Sequence, residues 1–340
     1  MNAATGETLA SRNASKPLPI ASITKLMTVL VTLDRAELDD VVTVSRGAAS
    51  VGESTIYLQA GERIEVADLI RAALVQSAND AATALAAHVG GGSVERFVGL
   101  MNAKARELGL NDTHFANPDG LDAPGHVSSA RDVTRLARIA MRNPFVSSTV
   151  RLETATIAGG RRLHTWNDLL GAFPRTIGVK TGHTDDAGWS EVAAARGRGT
   201  TIYATILGGP SREQRNTDLE RLLAWGLARY RVVPAVSTGR VYATAAAPYG
   251  LEPVRLVAQR PLLRVVRLGR ALVEQVVAPT AVSLPVHAGQ RLGEVRVLDQ
   301  GRVVAVAPLV AAAALERPGA RGRVRFYARR TLHHLRGLIG

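Results

Sequence analysis

Cysteine is absent from the 340 residues, and aromatic residues make up only 4% of them. The lack of cysteine excludes disulfide bonds and zinc sites built on thiolates. No spaced histidines suggest another zinc site, so we expect neither a metal nor an organic cofactor. Long apolar runs are also missing. The apolar stretch 303–315 is interrupted by Pro308 and is shorter than the roughly 20 residues that a membrane-spanning helix needs.

Acidic residues are scarce near the C-terminus. The net charge is +13, and residues 233–340 hold 16 arginines against 5 acidic residues. These arginines are interleaved with valine and leucine, and no nucleic-acid-binding motif accompanies them, so we expect no nucleic-acid partner. The hydrophobic fraction of 46% is ordinary for a soluble globular protein.

Lysine is rare, since the chain contains four lysines and 38 arginines. One of the four, Lys25, lies three positions after Ser22, at the head of the apolar run 26–31, which predicts a buried helix. Positions i and i+3 share a helix face, so the hydroxyl and the amine can meet. Burial disfavours an ammonium ion, which would let Lys25 act as a base near neutral pH. The alternative is a capping serine followed by a surface lysine whose charged end reaches solvent.

Two later stretches favour the catalytic interpretation. Ser77-Ala78-Asn79 and Lys180-Thr181-Gly182 follow in order, and S-x-x-K, S-x-N and K-T-G occur together in serine acyl-transfer enzymes. Taken singly, the second motif could be a helix terminator and the third an ordinary strand. Taken jointly and in order, the three motifs predict a serine nucleophile with lysine partners.

Helix and strand patterns cluster along the chain rather than alternate. This arrangement predicts an α+β catalytic domain with helices against an antiparallel sheet. Within it we expect a hairpin over residues 2–9, a strand-like segment at Ile56-Tyr57-Leu58, and a helix over residues 216–231.

The pattern changes after Pro234. Short β-branched segments separated by Gly-containing and Pro-containing turns predict a small all-β domain. We therefore expect a catalytic domain at residues 1–234, a β-rich domain at 235–316 and a basic tail at 317–340.

With these motifs in view, the chain resembles the low-molecular-mass penicillin-binding proteins that act as serine-type D-alanyl-D-alanine carboxypeptidases. The resemblance covers about residues 2–230, and the β-rich segment after residue 235 is similar to the family's second domain in position and pattern. The segments that carry it are Ala21-Ser22-Ile23-Thr24-Lys25-Leu26-Met27-Thr28, Gln76-Ser77-Ala78-Asn79-Asp80-Ala81-Ala82, Thr113-His114-Phe115-Ala116-Asn117-Pro118-Asp119-Gly120-Leu121, His126-Val127-Ser128-Ser129-Ala130-Arg131-Asp132 and Gly178-Val179-Lys180-Thr181-Gly182-His183-Thr184.

The resemblance implies catalytic roles for three residues. Ser22 would be the acylated nucleophile, Lys25 its general base, and Ser77 the relay of a proton to the departing D-alanine. Asn79 would hold the substrate amide and the Lys25 side chain.

The resemblance also implies a set of binding residues: Lys180, Thr181, Gly182, His183, Thr184 and Arg215. Lys180 would add positive charge. Thr181, Thr184 and Arg215 would receive the terminal carboxylate of the substrate, with Arg215 placed by its distance from Gly208-Gly209. The backbone N–H groups of Ser22 and His183 would form the oxyanion hole.

The implied reaction is hydrolysis of the terminal D-Ala-D-Ala bond of a peptidoglycan pentapeptide, with β-lactams as acylating inhibitors. The expected location is outside the cytoplasmic membrane, where peptidoglycan lies. The chain begins inside the family's first strand with no secretory signal, as expected of a trimmed sequence or a wrongly set start.

Two other functions stay open at this stage. A β-lactamase needs a carboxylate that activates the deacylating water, and Glu107-Leu108-Gly109-Leu110-Asn111 spells E-x-x-L-N. However, Ala78 replaces the aspartate of S-D-N. The other possibility is a non-catalytic penicillin sensor, against which the intact Ser22, Lys25 and Lys180 argue. Release of D-alanine from a D-Ala-D-Ala peptide would separate all three.

The tail, residues 321–340, is predicted to be an amphipathic helix on the membrane surface. At about 100° per residue its basic residues and most of its apolar residues fall on opposite sides, with Phe326 the exception. The alternative is a helix that packs on its own β domain. The apolar side comprises Val324, Tyr327, Ala328, Thr331, Leu332, Leu335, Leu338 and Ile339.

Overall fold

The structure is a computed structural model that describes residues 1–336, with side chains described for residues 1–332. The chain divides into two compact units, Met1–Arg229 and a second that begins at Tyr230. The domain limits expected from the sequence stay predictions.

The first unit contains two helices that are buried almost all round. All residues of α1 except its last are buried, and α4 is buried from Asn79 to Ala87, as expected where apolar or small residues occupy every side of a helix. These two helices pack against each other. The helices of this unit are α1 (Lys25–Leu33), α2 (Arg46–Ala49), α3 (Val66–Arg71), α4 (Asn79–Val89), α5 (Val94–Glu107), α6 (Ala130–Ala140), α7 (Pro144–Thr149), α8 (Leu169–Ala172) and α9 (Arg212–Ala228).

The sheet of the first unit has three antiparallel strands in the order β5-β6-β7. Residues 190–195 of the central strand are all buried, so both faces of the sheet are covered. Helix α9 packs against β6 and β7, and α6 also packs against β7. The strands are β1 (Val41–Thr43), β2 (Arg63–Glu65), β3 (Thr154–Ile157), β4 (Arg161–His164), β5 (Thr176–Thr184), β6 (Gly188–Gly197) and β7 (Thr200–Gly209).

Two short segments differ from the sequence expectation. Residues 2–9 form a tight turn rather than two paired strands: the Asn2 N–H donates to the Glu7 carbonyl, and the Asn2 carbonyl accepts the Gly6 N–H, both at 2.9 Å. The flanking groups of Met1 and Ala3 bond to β7. Ile56-Tyr57-Leu58 is not a strand. Its backbone N–H groups at Ile56 and Leu58 instead donate to the buried carboxylate of Asp80, at 3.1–3.2 Å. For this second segment, a tertiary partner that the local pattern does not reveal determines the conformation.

Helix α9 also differs from its predicted range of 216–231. It begins at Arg212, because the Ser211 hydroxyl caps it by accepting the N–H of Gln214. It ends at Ala228, and Tyr230 already belongs to a strand.

The second unit is built from antiparallel β-structure around its own small core. Five strands lie in the order β12-β13-β14-β10-β9, and β8 pairs with β11. Its elements are β8 (Tyr230–Val236), β9 (Val241–Ala245), β10 (Val254–Ala258), β11 (Leu262–Arg267), β12 (Leu272–Val277), β13 (Arg291–Asp299), β14 (Arg302–Ala311) and α10 (Ala320–Arg336). The expected α+β architecture followed by a β-rich unit is confirmed.

Helix α10 carries the basic tail. Val324, Tyr327 and Leu332 are exposed by 68%, 54% and 58%. The rings of Phe326 and Tyr327 lie edge-on to Tyr249, with centroids 5.9 and 6.2 Å from that of Tyr249. Leu338 and Ile339 of the predicted apolar side lie outside the described residues. Among residues 1–336, no helix combines the length and the apolar character needed to cross a bilayer.

Candidate active site

A cavity of about 210 Å³ lies where the motif residues of the first unit converge. Lys25 and Lys180 are buried beside it and hydrogen-bond to residues in its wall. The other predicted site residues all line it: Ser22, Ser77, Asn79, Thr181, Gly182, His183, Thr184 and Arg215.

Ser22 lies on a tight turn that two glycines hold in place. The 3₁₀ turn Ala21–Thr24 leads directly into α1, and Ala21 has a left-handed φ of 47°. A Cβ at Gly120 would lie 2.0 Å from the Ala21 carbonyl oxygen, and one at Gly182 would lie 2.7 Å from the Ile20 oxygen. Only glycine lets strand β5 and the loop that contains Gly120 approach the Ser22 turn this closely.

The amine of Lys25 is fully buried and has three close partners. Its Nζ lies 2.7 Å from Ser22 Oγ, 2.7 Å from Asn79 Oδ1 and 2.6 Å from the Asp119 carbonyl oxygen. Burial lowers the pKa of Lys25 to about 8, with nearby acidic groups led by Asp119 acting the other way. A neutral amine has two N–H groups, which suit the two oxygens that can only accept, and one lone pair, which then faces the Ser22 hydroxyl.

Ser77 and Lys180 form a second hydroxyl–amine pair. Ser77 follows the π-helical turn Ala72–Gln76 and has a left-handed φ of 65° before α4 begins. The Lys180 Nζ donates to Ser77 Oγ and to the Thr181 carbonyl oxygen, both at 2.9 Å. Burial, followed by the charge of Lys25, lowers the pKa of Lys180 well below its ordinary value.

Asn79 connects α4 to the loop at one side of the cavity. Its Oδ1 accepts from Lys25, its Nδ2 donates to the Gly52 carbonyl at 3.0 Å, and its backbone N–H donates to the Ser54 carbonyl at 2.7 Å. Both ends of the amide are therefore occupied in this structure. Asn79 holds Lys25, as expected, and it also fixes the 52–54 loop.

Strand β5 supplies the opposite wall. The His183 ring lies against Trp189, with centroids 4.0 Å apart. The Thr184 hydroxyl donates to Asp122 Oδ1 at 2.6 Å and accepts from the Ala187 N–H at 3.1 Å. Its proton is therefore used by Asp122, which differs from the free hydroxyl expected for a carboxylate receiver.

Arg215 lies on α9 and is only 2% exposed. Its Nη2 donates to Asn216 Oδ1 at 2.6 Å, and Asn216 in turn donates to Asp168 at 2.7 Å. The Arg215 Nε also lies 3.1 Å from Glu191 Oε2. This network holds a cation in the cavity wall near Thr181.

Several cavity residues were missed by sequence reasoning. Trp166 is 51% exposed, donates its indole N–H to the Gln76 carbonyl at 3.0 Å, and lies under the Arg212 guanidinium at 5.8 Å. Glu53 lines the cavity with a left-handed φ of 64°. Neither residue belongs to a short motif. The one sequence signal that could have marked Trp166 was the rarity of tryptophan in the chain.

Glu107, the residue that left a β-lactamase function possible, does not line the cavity. It ends α5, is 64% exposed and pairs with Lys104 at 2.9 Å. Within the described part of the chain, no group of three or more His, Cys, Asp or Glu side chains could hold a metal ion.

Comparison with known proteins places this site in a family. Residues 1–211 match the sequence profile of peptidase family S11, described as D-alanyl-D-alanine carboxypeptidase. The chain is 34% identical to the D-alanyl-D-alanine carboxypeptidase DacD of Escherichia coli over 329 residues, which cover 91% of this chain and 84% of the relative. DacF of Bacillus subtilis is 29% identical over 93% of this chain and 84% of its own length.

Solved structures agree with this assignment. Penicillin-binding protein 6B of Escherichia coli matches with a TM-score of 0.68 and 31% identity, covering 92% of this chain and 93% of its own. Penicillin-binding protein 5 of Haemophilus influenzae matches with a TM-score of 0.67 and 27% identity, covering 93% and 96%.

The chain therefore belongs to the family of D-alanyl-D-alanine carboxypeptidases, peptidase family S11. It is a serine-type carboxypeptidase with the fold of the penicillin-binding proteins, as its resemblance implied.

Proposed function

We propose that the site hydrolyses the terminal D-Ala-D-Ala bond of peptidoglycan stem peptides through an acyl-enzyme on Ser22. The observation that carries this assignment is the position of Lys25, whose buried amine lies 2.7 Å from the Ser22 hydroxyl. In the neutral form of the amine, Asn79 and the Asp119 carbonyl take its two N–H groups, which leaves the lone pair for the serine proton. This is the arrangement of an activated nucleophile and its base.

In acylation, Ser22 Oγ attacks the carbonyl carbon of the penultimate D-alanine, and its proton moves to Lys25 Nζ. The carbonyl oxygen becomes an oxyanion, for which the backbone N–H groups of Ser22 and His183 are the donors. The close approach of β5 at Gly182 brings these two backbone segments together.

The C–N bond then breaks as the proton that Lys25 accepted passes through Ser77 to the leaving nitrogen, which restores the neutral amine of Lys25. Lys180 orients that hydroxyl by donating to its oxygen. D-alanine departs as the amine, and Ser22 carries the shortened peptide as an ester. Water attacks this ester with Lys25 again accepting a proton, and Ser22 regains its hydroxyl as the product carboxylate leaves.

Arg215 and Thr181 form the binding site for the terminal carboxylate. Both line the cavity, and a buried guanidinium binds an anion more strongly than an exposed one because little water competes. Thr184 orients the loop at Asp122 through the hydrogen bond that uses its proton. A free carboxylate is therefore required of the substrate.

The location follows from the substrate. Peptidoglycan lies outside the cytoplasmic membrane, so we place the enzyme there, with β-lactams as covalent inhibitors of Ser22. Helix α10 would rest on the membrane surface, since Val324, Tyr327 and Leu332 are exposed on a helix rich in arginine. Phe326 and Tyr327 contact Tyr249 of the same unit, and Val324 and Leu332 remain mostly exposed.

Mass spectrometry of the penicillin-treated protein tests this proposal. One adduct is expected, on the peptide that contains Ser22, and it should be absent from Ser22→Ala. The same preparation should release D-alanine from a peptide ending in D-Ala-D-Ala. A β-lactamase would instead turn over penicillin rapidly, and a sensor would form the adduct without releasing D-alanine. An adduct that persists in Ser22→Ala would overturn the assignment of the nucleophile.

A further inference from the structure

Glu191 is a fully buried carboxyl group directly behind the proposed carboxylate-binding wall. It lies on β6 opposite Thr181 of β5, and its exposure is 0%. Opposed residues of an antiparallel pair project on the same face of the sheet, so Glu191 shares the face of the Thr181 hydroxyl. The acyl-transfer steps described above make no use of it.

The surroundings of Glu191 are charged but poor in hydrogen bonds. Its Oε2 lies 3.1 Å from Arg215 Nε, yet neither carboxyl oxygen has a hydrogen-bond partner within the part of the chain that the structure describes. The Arg215 Nε–H is directed to Asn216 Oδ1 instead. An ionised carboxylate without hydrogen bonds is costly to bury, even beside a cation.

The other charged groups that act on Glu191 come from three elements. Lys180 lies on β5, Arg212 and Arg215 lie on α9, and Asp168 precedes α8. Burial raises the pKa of Glu191 to about 7, although the positive charge of Arg215 acts in the opposite direction. The carboxyl group therefore changes charge near neutral pH, whereas the guanidinium of Arg215 stays charged.

Glu191 and the terminal carboxylate of the substrate therefore compete for the guanidinium of Arg215. When Glu191 is ionised, it neutralises Arg215 and repels an anion in the cavity. When it is protonated, Arg215 keeps only its longer ion pair with Asp168, at 4.0 Å, and offers more of its charge to the substrate. Binding of an anionic substrate must reciprocally favour protonation of Glu191, because the two equilibria are linked.

We propose that Glu191 is a positioning residue that holds Arg215 in the empty site and takes up a proton from solvent when the terminal carboxylate of the substrate binds. Its charge sets the affinity of the site for a free carboxylate. The proposal rests on the proposed role of Arg215 as receiver of that carboxylate.

The test is the pH dependence of D-alanine release from a synthetic peptide ending in D-Ala-D-Ala, between pH 6 and pH 9. For the wild-type enzyme, KM should rise above about pH 7, by roughly 5-fold or more at pH 9, the lower end of typical couplings between two sites. Glu191→Gln keeps the shape of the side chain but cannot ionise. Its KM should stay flat over this range, while kcat keeps the pH dependence that Lys25 imposes.

Glu191→Gln with the wild-type rise in KM would overturn the proposal. A KM raised by one constant factor at every pH would also overturn it, since that result shows a structural role alone. Arg215→Gln tests the carboxylate site separately. If it leaves KM for the free-acid peptide unchanged at pH 6, the proposed carboxylate site is wrong. If it raises that KM, the Glu191→Gln result tests the role of Glu191 alone.

A second measurement does not depend on the folding of Glu191→Gln. Ser22→Ala binds the peptide without acylation, so calorimetry in two buffers of different ionisation enthalpy can count protons on binding. At pH 7 we expect uptake of a fraction of a proton with the free-acid peptide and none with its C-terminal amide. Binding of the free-acid peptide without proton uptake would overturn the proposal.

Discussion

The two units of the chain use positive charge in opposite ways. In the first, Lys25, Lys180 and Arg215 are 0–2% exposed, and each amine or guanidinium donates hydrogen bonds to neighbouring side chains. In the second, arginines such as Arg240 and Arg291 are 59% and 66% exposed, with ion pairs to surface glutamates. Burying a cation is costly, so its persistence in a core indicates chemistry. Exposed cations cost little and act together as a field around the molecule.

Replacing the buried base should have the largest effect. Lys25→Met should lower the rate constant for penicillin acylation by about 10²–10⁴-fold, the usual contribution of a positioned general base. A stopped-flow or fluorescent-penicillin assay measures it. The variant should fold, although the Asn79 and Asp119 oxygens lose their donor at a cost of about 1–3 kcal/mol each.

Lys16→Met is the matched control, because Lys16 is exposed in the same unit. Its acylation rate should remain within a factor of about 2 of the wild type, as expected for a surface change away from the site. Acylation of Lys25→Met at a near-normal rate would contradict both the assignment of the base and the contrast between buried and exposed lysines.

A second variant tests whether the alignment of Ser22 with the buried lysines depends on the close approach of strand β5 to the Ser22 turn. Gly182→Ala would place a Cβ 2.7 Å from the Ile20 oxygen and 3.1 Å from the Ser22 nitrogen. Strand β5 must then move away from the nucleophile turn, and a displacement near 1 Å can cost about 10²-fold in rate. Acylation kinetics and thermal unfolding of the same sample separate misalignment from loss of the fold.

Gly197→Ala serves as the comparison on the neighbouring strand. A Cβ there would meet its nearest neighbour, the Arg175 side chain, at 3.4 Å, an ordinary contact. Equal acylation rates in the two alanine variants would show that the approach of β5 at Gly182 is not what aligns the site.

The smallest effect on catalysis is expected from the exposed charge of the tail. A chain ending at Glu316 should release D-alanine from a soluble peptide at nearly the wild-type rate, yet fail to sediment with anionic vesicles. Each basic residue near an anionic surface contributes about 1 kcal/mol, so binding of the full chain should weaken as salt rises. Vesicle binding that is equal for both chains, or insensitive to salt, would rule out the membrane contact.

Much of the site could be read from the sequence because its central residues lie in short motifs. Ser22 and Lys25 are three positions apart on one helical segment, so helix geometry alone brings them together. The buried helix predicted from the apolar run 26–31 was also correct, since that run lies within α1. The strand at Ile56-Tyr57-Leu58 was wrong, because the Asp80 carboxylate takes the backbone N–H groups that strand pairing would have used. At the N-terminus only a tight turn closed by Asn2 forms, and Met1 and Ala3 bond to β7 rather than to residues after the turn.

The sequence by itself therefore determined the pairing of Ser22 with Lys25 and the order of the motifs, both of which depend on neighbours in the chain. Only the tertiary structure decided which charges surround them. Glu191 lies alone in an apolar stretch of strand, and nothing nearby in sequence marks it. Its proximity to Arg215 arises from the packing of α9 against β6. Burial and charge proximity are properties of that packing, so the pKa of a group such as Glu191 is determined by the folded structure rather than by its sequence neighbours.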